Sequence, residues 1–211
     1  MSNFRGIILE GYSNAGKTSV LKALKQLQAS DDAERSVIVL SEHYSQVLHK
    51  VNGELKSLSR DEHLQVLRER VTMLKMLNNW SREIGQTQRS KGLFFILERF
   101  HLNHRVAFSH SISDEIKELE AELFEMGARC TLLTVSPENL EQRISSRNPN
   151  EWEGKTMEEM KLACELLLKQ QQEYRSQAEN SIIPTIEINT DNKDWDSYAK
   201  QIYLLNSHER T

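Results

Sequence analysis

Five short apolar runs, at residues 6–9, 37–40, 93–97, 131–135 and 185–188, are separated by longer segments in which apolar residues recur every three or four positions. Within the runs the apolar character is nearly continuous. That pattern suits strands covered on both faces, as in a parallel sheet. Between the runs, Val20, Leu21, Leu24 and Leu27 keep helical spacing, as do Leu64, Leu67, Val71, Leu74 and Leu77. Ser59 and Glu62 stand at capping-box spacing ahead of the second stripe, which is predicted to reach residue 84. Ile112, Ile116, Leu119 and Leu123 form a third stripe, stopped by Gly127. Ser136-Pro137 reads as an N-cap followed by proline at the first helical position. Thr156 and Glu159 repeat the capping-box spacing before a long helix to about residue 178, and Trp195, Tyr198, Ala199 and Ile202 make the last stripe. Strand and helix thus alternate five times. The expected fold is α/β, three-layered, with a five-stranded, mostly parallel, doubly wound sheet and right-handed crossovers.

No repeat or linker interrupts this order, so one domain over residues 1–211 is expected. The most irregular stretch, residues 147–155, is rich in Asn, Pro, Gly and charge. It lies between two predicted helices, and a helical lid is expected over about residues 143–156.

Composition narrows the partners. The chain is 38% hydrophobic and 27% charged with three prolines, which predicts a folded core. A formal net charge of −4 leaves no overall basic field for a nucleic-acid backbone, and no basic stripe with interleaved aromatics is present. Nucleic acid is not an expected partner. Cys130 and Cys164 are too few and too far apart for a disulfide framework or a zinc site, and read as reduced thiols. No signal-peptide core or long apolar span is seen, so a cytoplasmic protein without a membrane partner is expected. Met73, Met76 and Trp80 lie beside the main stripe of the second helix. They suggest a homodimer, unless both faces are buried within one subunit.

The strongest chemical signal is Gly11-Tyr12-Ser13-Asn14-Ala15-Gly16-Lys17-Thr18, followed by Ser19. It matches G-x-x-x-x-G-K-[ST] at every fixed position, between an apolar strand and an amphipathic helix. Glycines let the backbone turn its N–H groups into one hollow, and the helix adds the positive end of its dipole. Lys17 supplies a cation for the β- and γ-phosphates of ATP, and Thr18 a hydroxyl for Mg²⁺. The motif signals triphosphate binding but does not name a reaction.

Other candidates follow the strands. Glu98 ends the third run, at the edge where open α/β sheets bind ligands, and an acid there can hold Mg²⁺ directly or through water. Glu42 follows the second run and could accept a proton from a hydroxyl, hold a sugar hydroxyl, or be a solvated loop residue. Arg143 and Arg147, at i and i+4, share one helix face beside the lid, as suits phosphate oxygens in a transition state. His101-Leu102-Asn103-His104-Arg105 reads as a polar loop, touching substrate or merely on the surface. Gln65, Arg68 and Arg105 are further candidates for the acceptor pocket.

Taken together, strand–loop–helix, Glu42, Glu98-Arg99-Phe100, the lid segment Arg143-Ile144-Ser145-Ser146-Arg147, and Asn189-Thr190-Asp191-Asn192-Lys193 before the last helix resemble the thymidylate kinase and deoxynucleoside kinase group over nearly the whole chain. The resemblance implies a P-loop NTPase fold and transfer of the γ-phosphoryl group of Mg·ATP to a small-molecule acceptor, a nucleoside or nucleoside monophosphate. It implies catalytic roles for Lys17, Glu42, Arg99 and Arg147, with Arg99 at the acceptor, and places Arg143, Asp191 and Asn192 near the adenine. The chain departs from the group in Phe100 after the arginine, in His43-Tyr44 after Glu42, and in having one lid arginine after Arg143. These departures fall mostly at the acceptor end. A P-loop kinase of another small alcohol stays open, as does a nucleotide-dependent switch. Against a Ras-type switch, Asn192-Lys193-Asp194 lacks the spacer of an Asn-Lys-x-Asp guanine motif.

Overall fold

The computed structural model describes residues 4–30, 34–51, 54–83, 90–111, 114–147 and 149–205. The five apolar runs become strands β1 (Phe4–Glu10), β2 (Glu34–Leu40), β5 (Ser90–Glu98), β6 (Ala128–Thr134) and β7 (Thr185–Asn189) of one sheet, in the order β2-β5-β1-β6-β7. Every pairing is parallel. β1 lies at the centre, and Ile7, Ile8 and Leu9 are fully buried, as its unbroken apolar run requires. Because the strands are parallel, their carboxyl ends meet at one edge. Leu9 pairs with Glu98, and Leu40 with Leu97.

Helices α1 (Lys17–Ser30), α2 (Arg60–Glu83), α3 (His101–Ala107), α4 (Asp114–Glu125), α5 (Pro137–Arg147), α6 (Pro149–Trp152), α7 (Met157–Glu179) and α8 (Trp195–Leu205) flank the sheet. α1 packs with α8; α2 packs on α3 and α4, and α7 on α3 and α5. The predicted starts of α2 and α7 hold. Ser59 and Glu62 exchange backbone-to-side-chain bonds of 2.8 and 3.3 Å, and Thr156 and Glu159 form the same reciprocal box. Gly127, at φ +79°, ends α4 by returning its N–H to the Phe124 carbonyl. Ile112, Ile84 and Asn148, all within the predicted helices or lid, lie outside the described residues.

Two features differ from expectation. An antiparallel hairpin, β3 (Leu48–Val51) with β4 (Glu54–Ser57), stands between β2 and α2. Its strands are too short to show as apolar runs, although Asn52-Gly53 between them is a hairpin signal. The stretch 101–105, read as a polar loop, is instead the buried helix α3, with all five residues at most 9% exposed. Its polar groups face protein. Arg105 gives two bonds to Glu120 of α4, at 2.5 and 2.9 Å, and Glu120 also accepts the Ile182 N–H. A buried guanidinium paired in this way is a structural clamp and not an acceptor contact. Gln65 and Arg68 are likewise engaged on the surface of α2, with Glu69 and with Glu115 of α4. On α2, Met73 packs against the core, whereas Met76 and Trp80 stay exposed. Among the described residues, no helix is long and apolar enough to cross a membrane.

Candidate functional site

The loop from Gly11 to Gly16 leaves the carboxyl end of the central strand and runs into α1. Gly11 sits at φ +133° and Gly16 at +91°, conformations that L side chains rarely adopt. Space is short as well. A Cβ on Gly11 would stand 2.5 Å from the Leu133 carbonyl oxygen, and one on Gly16 would stand 2.7 Å from the Trp195 ring. The side chains of Tyr12 and Ala15 are buried in the core, so these residues offer only backbone to a ligand. Thr190 fastens the loop from behind, its hydroxyl lying 3.0 Å from the Ala15 and Thr134 carbonyls. Lys17, only 5% exposed, donates to the Gly11 and Tyr12 carbonyls at 3.0 and 2.9 Å. Its ammonium curls over the hollow that its own loop forms.

A cleft of about 410 Å³ opens above this loop. Asn14, Gly16, Lys17, Thr18 and Ser19 form its floor, Glu42 and Arg99 one wall, Arg143, Ser146 and Arg147 of α5 another, and Lys193 and Trp195 the far end. Five cationic side chains therefore line it against one carboxylate. Thr18 is exposed to the cleft. Arg147 donates to Ser13 Oγ at 3.0 Å and Asn14 Oδ1 at 2.9 Å, so the segment predicted as a lid touches the loop directly. Arg143 donates to the Thr190 carbonyl, and its guanidinium lies 5.4 Å from the centroid of the Trp195 ring.

The wall formed by Glu42 and Arg99 is linked to Glu98, which is buried and does not itself line the cleft. Arg99 Nε donates to Glu42 Oε2 at 2.7 Å, and Glu98 Oε2 accepts the Glu42 N–H at 3.3 Å. Arg99 sits at φ +54°, a conformation uncommon for a side chain of its size, while its N–H is held by the Leu9 carbonyl at 3.0 Å. Burial works to raise the Glu42 pKa, yet the charges of Arg99 and Lys17 and the Arg99 hydrogen bond leave it below the ordinary value. Glu98 is raised, by burial first and then by the Glu42 charge. Lys17 is lowered, by burial first and then by Arg99, with the three acids around it opposing.

The structure thus gathers Lys17, Thr18, Ser19, Asn14, Glu42, Arg99, Arg143 and Arg147 around one cleft from four separate stretches of chain. It does not bring Asp191 and Asn192 to the cleft wall. The Asp191 carboxylate accepts the Ser136 N–H at the start of α5 at 3.0 Å, and Lys193 and Trp195 take the place at the cleft. Glu10 has no counterpart in the sequence reading. It is fully buried beside the loop, and its Oε1 accepts the N–H groups of Phe100, Leu102 and Asn103 at 2.8, 2.9 and 3.4 Å. An acid closing an otherwise apolar strand, as Glu98 does, was the available signal. Burial pushes its pKa up to about 7 against those three bonds.

By sequence, no family model and no curated protein matches the chain. By structure, it is similar to YorR of Bacillus subtilis, solved in complex with phosphorylated GDP, with a TM-score of 0.56 and 17% identity over 98% of this chain and 99% of that one. It is similar to polyphosphate kinase 2 of Arthrobacter aurescens TC1, with a TM-score of 0.53 and 16% identity over 96% of this chain and 66% of that one. A candidate kinase of Chloroflexus aurantiacus aligns over the whole of both chains at 17% identity and a TM-score of 0.50. At these identities the likeness is one of fold: the chain has the α/β architecture of P-loop kinase-like proteins.

Proposed function

We propose that the chain is an ATP-dependent phosphotransferase that moves the γ-phosphoryl group of Mg·ATP to a nucleoside or nucleoside monophosphate. The observation that carries this reading is the reach of Arg147 from α5 to Ser13 and Asn14 of the phosphate loop. A cation brought to that place by a separate segment suits charge stabilisation on a transferring phosphoryl group. Lys17 would hold the β- and γ-phosphates after leaving the Gly11 and Tyr12 carbonyls. Thr18 and Glu98 would hold Mg²⁺. Glu98 fits that role because its Oε1 is buried without a hydrogen-bond partner among the described residues. The ion would neutralise phosphate charge.

Arg99 and Glu42 would face the acceptor. Glu42 is held by Arg99 and is a weakened base, which favours positioning over proton abstraction. A monophosphate acceptor needs no strong base and could take the Arg99 guanidinium in place of Glu42, so the monophosphate is the favoured alternative.

The test is ADP release from Mg·ATP against nucleosides, nucleoside monophosphates and small alcohols, with Lys17→Ala in parallel. An acceptor-dependent rate that falls at least about 100-fold in the variant is expected, the scale seen on removing one charge-stabilising donor. Equal rates in the two proteins would overturn the assignment. Slow hydrolysis indifferent to every acceptor would favour a nucleotide-dependent switch.

A further inference from the structure

Three buried polar residues outside the cleft, His104, His63 and Ser45, connect in series to the Glu98 carbonyl beside its wall. His104 of α3 and His63 of α2 meet Nδ1 to Nδ1 at 3.0 Å, with their rings stacked at 5.2 Å. His63 Nε2 lies 2.8 Å from the Ser45 carbonyl, and the Ser45 hydroxyl donates to the Glu98 carbonyl at 2.5 Å. Ser45 and His63 are completely buried and His104 is 1% exposed. A carbonyl can only accept, so His63 Nε2 carries the proton. The neutral His63 ring then has a bare Nδ1, which requires the proton of the second bond to sit on His104 Nδ1. His104 Nε2 is left bare, consistent with its lack of any hydrogen-bond partner among the described residues. Both tautomers are thereby assigned, and every link runs one way.

We propose that His63 and His104 are positioning residues for the acceptor wall: their relay through Ser45 clips the loop bearing Glu42 to the strand end bearing Glu98 and Arg99. This rests on the phosphotransferase reading for its functional meaning, but not for its geometry. Ser45 closes the short turn that begins at Glu42, its N–H held by the Glu42 carbonyl at 3.2 Å. Its hydroxyl reaches the last peptide before Arg99. Ser45 therefore joins the two backbones whose side chains form the Glu42–Arg99 pair. His63 pins that junction to α2. A parallel fastener, from the Val47 N–H to Asn103 Oδ1 at 3.1 Å, ties the following residues to α3. Core packing alone would be served by apolar rings at positions 63 and 104. A directed polar chain ending at one serine instead restricts where the Glu42 turn can sit.

The relay is tested on the nucleotide-free full chain by NMR, which needs no acceptor. Ring ¹⁵N shifts are expected to show His63 as the Nε2–H tautomer and His104 as the Nδ1–H tautomer. The Arg99 Nε–H, held by Glu42, is expected to be protected from solvent exchange. In His63→Leu and Ser45→Ala its exchange should quicken at least about tenfold through freer opening of the Glu42 turn. His63→Gln, whose amide supplies one donor and one acceptor, should stay within about twofold of the parent. Opposite tautomers, or an Arg99 Nε–H unchanged in the serine variant, would overturn the proposal. Should His63→Leu fail to fold, the serine and glutamine variants decide it. Failure of the kinase reading leaves these signals in place and shows only in the acceptor panel.

Discussion

His63 titrates at about 4 in the folded protein, against an ordinary value of 6.5, because burial disfavours its cation. Between those values the unfolded chain binds a proton that the folded chain does not. The contribution of His63 to stability is full above pH 6.5. It is lost as pH falls, at about 1.4 kcal/mol per pH unit, until the folded ring also protonates. His63→Gln removes that titration. Urea unfolding between pH 4 and 6.5 should therefore give a flatter stability profile for the variant, by about one proton. Identical slopes would mean that the ring is already charged in the folded state. The same scale shows where reading single residues succeeds. The tight turn at Gly11 and Gly16 and the helix start at Lys17 were legible because the loop motif sets those types at that spacing. Glu10 carried only the weak signal of an acid closing an apolar strand, and nothing local marks Ser45 as the serine that joins the Glu42 turn to the Glu98 strand end.

At the scale of elements, caps and periodicity were reliable guides where stripes were long. The two capping boxes and the Gly127 stop formed as their spacing requires. The polar segment after Phe100 defeated the same reasoning, since its partners lie on other helices. Arg105 is the clearest case. Its charge suggested solvent or substrate, yet it is 1% exposed and clamped to Glu120. Arg105→Met would leave Glu120 buried without its counter-charge, and a loss of about 3–5 kcal/mol is expected on denaturant unfolding. Replacing both, with Glu120→Leu added, should recover most of that loss, because burying an ion pair costs desolvation that apolar side chains avoid. A single variant as stable as the parent would show that Glu120 finds another partner.

Across the whole molecule, the parallel sheet turns sequence separation into proximity. Strand ends distant along the chain arrive at one edge, and α5 then lays Arg143 and Arg147 over the loop that follows β1. Binding at such a convergence is linked to global stability. Mg·ATP at about 100 times its Kd should stabilise the fold by about 2.7 kcal/mol. For a chain of this size that corresponds to a rise in Tm of roughly 5–10 °C. Thermal denaturation with and without Mg·ATP measures it, with Lys17→Ala as the control expected to lose most of the shift. An unchanged Tm in the parent protein at millimolar Mg·ATP would count against triphosphate binding in this cleft.

The five strands of the main sheet, their parallel class, the starts of α2 and α7 and the glycine turn after β1 were written in local pattern. Each depends on residues within a few positions of one another, and on backbone preferences that those residues impose wherever they occur. Other features came from contacts between segments far apart in the chain. These include the strand order, the partnership of Glu42 with Arg99, the exchange of Asp191 and Asn192 for Lys193 and Trp195 at the cleft, and the chain from His104 to Glu98. Such contacts are selected by packing and by the need of buried polar groups for partners, and that need can be met only by whatever the fold brings alongside.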